Sequence, residues 1–276
     1  MLTPREVRAL LDSHGLAPHK AFGQNFVVDA NTVRKVVRDA DVQPGDLVVE
    51  IGPGLGSLTL ALRQAQARVV AVEVDAGMVR ALRDVVGDDE GVTVIHADAL
   101  RADYGALTGG APALLVANLP YNVATPLVMG ALRSGVFTRM LLMVQREAGE
   151  RWTASVGDPL YGAVSVKVAA LADAQIAARV SRNAFYPVPK VDSVTVRIVP
   201  RPAPAIEDVD ALFGLVEAGF AQRRKRLRNT LQALGHAPTA VEAALERIGR
   251  SSGTRAEELA LDDWVSLYAA LGEPRL

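Results

Sequence analysis

The sequence predicts a doubly wound α/β domain with a mainly parallel sheet, followed by a small all-helical domain. Between residues 47 and 144, short apolar runs alternate with amphipathic helical segments. That order is typical of a parallel sheet covered by helices. Beyond residue 204 the apolar residues recur only at helical spacing. The segment 200–204 has proline at every second position and predicts a stiff linker, so we expect domains over 1–200 and 205–276.

The elements can be justified in chain order. Thr3, Pro4 and Glu6 supply an N-cap, a first-turn proline and a capping-box acid for the first helix, which ends near Gly15. A second helix is expected over 29–41. Strands are predicted at 47–51, 69–74, 92–95, 114–117 and 140–144, with helices at 57–66, 77–86 and 125–134 between them. Strands 175–180 and 193–198 flank a proline-rich turn and predict an antiparallel edge pair, and the later helices are predicted at 209–221, 225–234, 239–248 and 261–271.

The composition excludes several classes of protein. The chain has 276 residues, half of them hydrophobic, but no apolar run near the ~20 residues that span a bilayer. Its charged N-terminus does not resemble a signal peptide. There is no cysteine, and the four histidines lack metal-ligand spacing, so we expect no metal. The net charge of −1 argues against a general nucleic-acid coat but allows a local basic face. A cytoplasmic monomer is expected.

A glycine-rich segment follows the first sheet strand. It reads Glu50-Ile51-Gly52-Pro53-Gly54-Leu55-Gly56. Glycines at this point let the backbone approach a ligand closely. The spacing differs from the Gly-x-Gly-x-x-Gly fingerprint of dinucleotide-binding proteins. A purely structural tight turn remains an alternative for this segment alone.

Two acids strengthen the ligand interpretation. Glu73 ends the second sheet strand about 20 residues after the first glycine, where an acid can accept hydrogen bonds from ribose hydroxyls. Asp98 follows the third strand and would reach an adenine amine. Ligands of open α/β sheets bind at the carboxyl ends of the strands. The pattern indicates an adenosine without a pyrophosphate, as in S-adenosylmethionine.

The tetrapeptide Asn118-Leu119-Pro120-Tyr121 follows a fourth apolar strand. The Asn118 side chain and the Leu119 backbone carbonyl offer two hydrogen-bond acceptors. Pro120 restricts its own φ and keeps Leu119 extended, while Tyr121 offers a flat ring face. Two acceptors beside a ring face suit the exocyclic N6 amine of adenine. A strand-end turn with a capping asparagine is the alternative for the tetrapeptide alone.

With these motifs the chain resembles the ribosomal RNA adenine dimethyltransferases, and within them the small-subunit type. The resemblance covers nearly the whole chain and implies a Rossmann-like class I methyltransferase fold that uses S-adenosylmethionine to dimethylate adjacent adenosines near the 3′ end of 16S rRNA. Besides the two motifs above, it is carried by Phe22-Gly23-Gln24-Asn25-Phe26, Phe185-Tyr186-Pro187-Val188-Pro189-Lys190-Val191-Asp192-Ser193, Gln222-Arg223-Arg224-Lys225-Arg226-Leu227-Arg228-Asn229 and Arg255-Ala256-Glu257-Glu258-Leu259.

The resemblance implies roles for individual residues. Tyr121 and Phe185 would stack on the target adenine from opposite sides, although Phe185 could instead be a turn aromatic packed under the sheet. The catalytic set would be Asn118, Leu119, Pro120, Tyr121 and Phe185. The cofactor-binding set would be Gln24, Asn25, Val27, Gly52, Gly54, Gly56, Glu73, Asp98, Ala99 and Asn118.

Basic residues predict the RNA-facing surface. A run of them near the start of the helical domain suits phosphate contacts, which position RNA without reading its sequence. A solvated charged face is the alternative for any single residue. The expected RNA-binding residues are Lys20, Arg146, Lys190, Arg223, Arg224, Lys225, Arg226 and Arg228, with Arg151 as a further candidate.

Three other functions are compatible with parts of the pattern. A DNA adenine methyltransferase can use a similar tetrapeptide, but the helical C-terminal domain argues against it. An assembly factor that binds immature small subunits, with methylation as its exit signal, is more a companion role than a rival. An NAD-dependent enzyme is disfavoured by the glycine spacing and lacks a constellation for hydride transfer.

Overall fold

The computed structural model describes residues 1–18, 24–120, 123–206 and 208–272. Within them the chain forms two sheets and a set of helices. The strands are β1 (Phe26–Val27), β2 (Leu47–Ile51), β3 (Arg68–Glu73), β4 (Val92–His96), β5 (Ala113–Asn118), β6 (Phe137–Gln145), β7 (Ala172–Val180), β8 (Phe185–Tyr186) and β9 (Ser193–Pro200). The α-helices are α1 (Pro4–Ser13), α2 (Ala30–Asp39), α3 (Ser57–Gln64), α4 (Ala76–Val86), α5 (Tyr104–Thr108), α6 (Ala124–Ser134), α7 (Arg146–Thr153), α8 (Ala163–Leu171), α9 (Val209–Phe220), α10 (Leu227–Thr230), α11 (Pro238–Arg247) and α12 (Leu261–Leu271).

The main sheet has seven strands in the order β4-β3-β2-β5-β6-β9-β7. The pairs β4–β3, β3–β2, β2–β5 and β5–β6 are parallel, whereas β9 runs antiparallel to β6. From β2 the chain first builds outward through β3 and β4, then crosses to β5 on the other side. This reversal makes the β2–β5 boundary the switch point, where open α/β sheets bind ligands. Strand β9 lies between β6 and β7, and β7 forms the edge of the sheet on the side where the edge pair was predicted.

A second, two-stranded sheet joins distant parts of the chain. Strand β1 pairs antiparallel with β8, with Phe26 opposite Tyr186 and Val27 opposite Phe185. The guanidinium of Arg8 in α1 lies over the Tyr186 ring, 5.0 Å from its centre. This sheet therefore fixes the segment that leads into the predicted cofactor site.

The chain divides into two compact units. The first comprises Met1–Gly149 with Ala174–Pro200, and the second comprises Glu150–Asp173 with Arg201–Leu276. The expected boundary near residue 200 coincides with one change of unit. The stretch 150–173, which the sequence assigned to the first domain, instead belongs to the second unit. Its helix α8 is rich in apolar residues on every side, so it lacks the amphipathic stripe that would have predicted it.

Local sequence accounts for the ends of several helices. The Thr3 hydroxyl accepts from the Glu6 N–H at 3.3 Å, and the Glu6 carboxylate accepts from the Thr3 N–H at 2.7 Å. This is the predicted capping box of α1. The predicted helix 225–234 begins later, at Leu227, and its second half is a 3₁₀ turn over Leu231–Leu234. The short helices α5 and α7 were also not predicted.

The core of the first unit lies on both sides of the sheet. One cluster includes Val33, Val48, Leu62 and Val116 and extends to Phe185. A second cluster joins α1 and α4 to the glycine segment. Within the described ranges, no helix is long and apolar enough to cross a membrane. The same residues contain no group of three or more histidines and acids arranged to hold a metal ion.

Candidate active site

A cavity of about 310 Å³ lies at the carboxyl ends of β2, β3 and β5. It is lined by residues 50–55 of the glycine segment, by Glu73 at the end of β3, by Asp98 after β4 and by the first three residues of the tetrapeptide. Of the predicted cofactor-binding residues, the cavity collects Gln24, Asn25, Val27, Gly52, Gly54, Glu73, Asp98, Ala99 and Asn118. Because these strands are parallel, their carboxyl ends lie at one edge of the sheet, and the residues predicted at the strand ends meet there.

Gly54 and Gly56 are required in the loop for different structural reasons. Gly54 has φ of 55°, and an added Cβ would lie 2.9 Å from the Phe26 ring. Its backbone can therefore approach both the ring and a ligand only without a side chain. Gly56 does not line the cavity. It begins α3 with φ of 91°, and its Cβ would lie 2.6 Å from a Leu82 methyl, so packing against α4 explains this glycine better than cofactor binding.

Glu73 is 6 % exposed and reaches back under the glycine loop. Its Oε2 accepts from the Gly54 N–H at 3.2 Å, and its Oε1 accepts from the N–H groups of Val74 and Asp75 at 2.9 and 3.0 Å. Burial raises the pKa of Glu73, and the three backbone donors partly oppose that rise. Oε2 keeps acceptor capacity for a hydroxyl in the cavity.

Asp98 lies at the mouth of the cavity. Its Oδ1 accepts from the Leu100 N–H at 2.9 Å, and its side chain is 44 % exposed. The cavity is also lined by two apolar residues that the sequence did not single out. Val74 is 55 % exposed and Leu100 47 % exposed, so both offer apolar surface to a flat ring. Val74 directly follows Glu73, and Leu100 lies two residues after Asp98. Those positions were the sequence signal that could have identified both residues.

The described part of the tetrapeptide lines the cavity. The Asn118 Nδ2 donates to the Asn25 carbonyl at 3.0 Å, so the amide is anchored through its nitrogen and its Oδ1 is left as an acceptor. The Leu119 N–H donates to the Met143 carbonyl at 3.0 Å. No donor to the Leu119 carbonyl occurs among the described residues. Tyr121 lies outside the described residues.

The predicted stacking role of Phe185 does not agree with its position. The ring is 2 % exposed, belongs to the core cluster of the first unit and does not line the cavity. Pairing of β8 with β1 turns this residue inward beside Val27. The structure therefore supports the alternative of a turn aromatic packed under the sheet.

Glu50 is a cavity residue that sequence reasoning did not single out. It lines the cavity although it is only 1 % exposed. Its Oε2 accepts from the Thr59 hydroxyl at 2.6 Å. Burial, together with repulsion from Glu73, raises the pKa of Glu50 to about 8, against the lowering effect of Thr59. An acid within a glycine motif was visible in the sequence, but its burial was not.

The predicted basic residues of the first unit are spread along the chain. Lys190 and Arg146 are exposed, and the Arg146 N–H donates to the Asp192 carbonyl at 3.1 Å. Lys20 lies outside the described residues. Arg151, the further candidate, belongs to the second unit and is exposed as well.

Two arginines of the basic run in the second unit form ion pairs. Arg223 donates to Glu257 at 2.8 Å and to the Pro159 carbonyl at 2.8 Å. Arg228 pairs with Glu242. These contacts stabilise the fold of the unit, so a phosphate would have to compete with a carboxylate for either guanidinium.

The other basic residues of the run form no ion pair with a described acid. Arg224 and Lys225 are exposed, with no side-chain partner among the described residues. Arg226 forms an antiparallel bridge with Arg255, and both are exposed. Directly paired residues across such a bridge lie side by side, and like charges there repel each other. A bound anion would relieve that repulsion. Arg255 is 29 positions away, so the sequence could not predict the pairing.

Comparison with known proteins identifies the family. A model of the ribosomal RNA adenine dimethylase family matches residues 15–272. Proteins named ribosomal RNA small subunit methyltransferase A are similar to the chain. The protein from Kineococcus radiotolerans is 45 % identical, and the alignment covers 99 % of this chain and 95 % of the relative. The protein from Streptomyces griseus is 44 % identical, and the alignment covers 97 % of this chain and 94 % of the relative.

Solved structures agree with the fold. The 23S rRNA methyltransferase ErmE superposes with a TM-score of 0.68 at 27 % identity, covering 90 % of this chain and 99 % of ErmE. A dimethyladenosine transferase from Plasmodium falciparum has a TM-score of 0.70 at 24 % identity, covering 87 % and 95 %. The predicted fold class and family resemblance are confirmed. The chain belongs to the ribosomal RNA adenine dimethylase family.

Proposed function

We propose that this protein uses S-adenosylmethionine to dimethylate the N6 amines of two adjacent adenosines near the 3′ end of small-subunit ribosomal RNA. One observation carries the proposal. The Asn118 amide, anchored through its nitrogen, turns an oxygen acceptor toward the cavity that also contains Glu73 and Asp98. An amine-binding device therefore adjoins a site suited to an adenosine-containing cofactor.

The residues of the cavity fit the cofactor. Glu73 would accept from the ribose hydroxyls and Asp98 from the adenine amine. Val74 and Leu100 would cover the faces of the base, and the backbone at Gly52 and Gly54 leaves room for the amino-acid part. When bound, S-adenosylmethionine supplies an electrophilic methyl group on a positively charged sulfur.

The tetrapeptide would make the target amine reactive. The N6 lone pair of adenine is delocalised into the ring and is a weak nucleophile. When Asn118 Oδ1 and the Leu119 carbonyl accept the two N6 hydrogens, the amine is favoured to become pyramidal, with its lone pair directed away from both oxygens. The Asn25 carbonyl holds the Asn118 amide in that orientation. Most of the catalysis would come from positioning, for which effective molarities can reach ~10⁵ M or more.

The target base must leave its stack to reach the cavity. Tyr121 is the proposed stacking partner, which would offset part of the cost of unstacking. The methylated amine loses its proton readily, so the scheme requires no strong general base near Asn118.

The small subunit is the proposed substrate because relatives named for the small subunit are about 45 % identical, whereas the 23S enzyme ErmE is 27 % identical. The exposed basic residues of the second unit, which cofactor binding does not require, would contact the phosphates of the RNA. We further propose that the monomeric protein binds an immature small subunit in the cytoplasm and takes part in its maturation.

The salt dependence of RNA binding tests the basic surface. Neutralising Arg224 and Lys225 together should reduce the slope of log affinity against log salt by about 1.4, at about 0.7 for each lost phosphate contact. The matched variant, with Arg223 and Arg228 changed to glutamine, should alter the slope less because both already pair with carboxylates. Equal slopes for wild type and the first variant would remove these two residues from the RNA footprint.

The methylation reaction is tested with tritiated S-adenosylmethionine and undermethylated small subunits, followed by nucleoside analysis. We expect label in N6,N6-dimethyladenosine at two adjacent positions. DNA with exposed adenines is the control, and preferential labelling of DNA would favour the alternative of a DNA methyltransferase. Label confined to large-subunit RNA would contradict the proposed substrate. A catalytically inactive variant that binds subunits and slows their maturation would support the role in assembly.

A further inference from the structure

A short loop, residues 187–192, begins near the Asn118 amide and is called the rim loop below. It directly follows β8, in which Tyr186 lies opposite Phe26 of β1. Phe26 follows Asn25, whose carbonyl accepts from the Asn118 Nδ2 at 3.0 Å. The rim loop therefore starts one strand away from the residue that anchors Asn118.

The far end of the rim loop is tied to the same region. It enters β9 at Ser193, which pairs with Gln145 at the carboxyl end of β6. Strand β6 also pairs with β5, where Met143 lies opposite Asn118. Since paired strands lie about 5 Å apart, both ends of the rim loop are held near the carboxyl end of β5. The loop thus borders the place where the target amine would bind.

The rim loop exposes two apolar side chains. Val188 is 57 % exposed and Val191 is 44 % exposed. Pro187 and Pro189 restrict the backbone on both sides of Val188, and Pro189 is buried, so the loop is stiff. The two valines are three positions apart, which limits the distance between their Cα atoms to about 11 Å. A stiff loop offers this apolar surface to a ligand at little cost in conformational entropy.

Two cations lie near the valines. Lys190 is exposed and lies between them in the chain. The guanidinium of Arg8 lies over the Tyr186 ring, directly before the loop, 5.0 Å from the ring centre. Neither cation pairs with an acid among the described residues. A guanidinium that stacks on a ring keeps N–H groups at its edge, where they can bind a phosphate.

The acid of the rim loop does not offset these charges at the valines. The Asp192 Oδ1 accepts from the Arg182 N–H at 2.9 Å, which holds this carboxylate at the β9 end of the loop. The surface therefore combines apolar side chains with positive charge. A nucleotide has the complementary chemistry, because its base offers a ring face and its phosphate is negative. An apolar surface for a protein partner would not require the two free cations.

We propose that the rim loop binds the nucleotide next to the target adenosine, with Val188 and Val191 against its base and with Lys190 and Arg8 at its phosphates. When the target base leaves its stack, the neighbouring base loses a stacking partner. Apolar side chains that cover its free face reduce that cost, as apolar wedges do in other nucleic-acid complexes. This inference rests on the proposed methylation of adjacent adenosines.

Photo-cross-linking tests the position of the rim loop on the RNA. The photoreactive p-benzoylphenylalanine replaces Val188 in the full chain, which is bound to undermethylated small subunits with S-adenosylhomocysteine and irradiated. Reverse-transcription stops then map the cross-linked nucleotides. We expect stops at the nucleotides that adjoin the two methylated adenosines. The same probe in place of Ile176, which is exposed on the edge strand β7, is the matched control and should give no stop there.

Kinetics test the contribution of the valines. In the double variant Val188→Ala with Val191→Ala, the KM for small subunits should rise about tenfold, as when the cover of one valine-sized side chain is lost. The kcat and the calorimetric affinity for S-adenosylmethionine should stay at wild-type values. The matched control, Ile176→Ala with Val199→Ala, removes two equally exposed apolar side chains and should leave the KM unchanged.

The salt dependence of subunit binding tests Arg8. Arg8→Gln should reduce the slope of log affinity against log salt by about 0.7, the value for one lost phosphate contact on single-stranded RNA. Arg68→Gln is the control, because Arg68 is exposed at the amino end of β3, away from the ligand-binding edge, and its slope should equal that of wild type.

The outcomes separate this inference from the proposed function. Cross-links from position 188 only to distant RNA or to a ribosomal protein, or an unchanged KM in the double alanine variant, would overturn the role of the rim loop. Dimethylation by wild type would still support the proposed function in that case. The cross-linking result does not depend on the stability of the alanine variant. If wild type does not methylate adenosines in small subunits, both proposals fail.

Discussion

Replacing Asn118 with alanine removes one of the two oxygens proposed to accept the N6 hydrogens. Positive charge develops on the amine as the methyl group is transferred, and a hydrogen bond to a charged group contributes about 1.5–3 kcal/mol. At about 1.4 kcal/mol for each factor of ten, turnover with saturating cofactor should fall about ten- to 150-fold. The loss of the 3.0 Å bond to the Asn25 carbonyl should also lower the free energy of unfolding by about 1 kcal/mol.

The assay is single-turnover transfer from tritiated S-adenosylmethionine to undermethylated small subunits. Chemical denaturation of the same preparations measures the unfolding free energy, and calorimetry measures cofactor affinity. Asn183→Ala, at an exposed asparagine, is the matched control and should behave as wild type. If Asn118→Ala transfers methyl groups within threefold of the wild-type rate at saturating cofactor, the acceptor role is refuted.

Three further predictions follow from the geometry of the first unit. Gly54→Ala should weaken cofactor binding at least tenfold in calorimetry, because its Cβ would lie 2.9 Å from the Phe26 ring at a φ of 55°; unchanged affinity would contradict the requirement for glycine. Phe185→Ala should lower the free energy of unfolding by about 3–5 kcal/mol in chemical denaturation, as for a core aromatic; normal stability with lost RNA turnover would restore the stacking role. The raised pKa of Glu50 means that the folded state holds a proton more tightly than the unfolded state. The free energy of unfolding should therefore fall as pH rises from about 4.5 to about 8, and Glu50→Gln should reduce this decline. An identical pH dependence of thermal unfolding in wild type and Glu50→Gln would show that another group is responsible.

The sequence predicted the sheet and its ligand-binding edge well. The acids and the asparagine that follow successive apolar strands had to meet, because parallel strands carry their carboxyl ends to one edge. Glu73, Asp98 and Asn118 line one cavity for this reason. Capping at Thr3 was also predictable, since the two partners are three residues apart.

Phe185 illustrates where sequence reasoning lacked information. A phenylalanine in a proline-rich turn is equally compatible with an exposed stacking surface and with a core position. Pairing of β8 with β1 decides between them, and those strands lie far apart in the chain. Helix α8 was missed for a related reason, because a helix buried on several sides loses the period that identifies it.

By itself, the sequence determined the alternation of strands and helices, the glycine loop, the position of the acids at strand ends and the family to which the chain belongs. These features depend on local periodicity and on short motifs. Only the tertiary structure decided that Asn118 is anchored to the Asn25 carbonyl, that Glu50 is buried in the lining of the cavity that also contains Glu73, and that Arg226 pairs with Arg255. Hydrogen bonds and burial between residues distant in the chain depend on how the elements pack, and no local pattern encodes that packing.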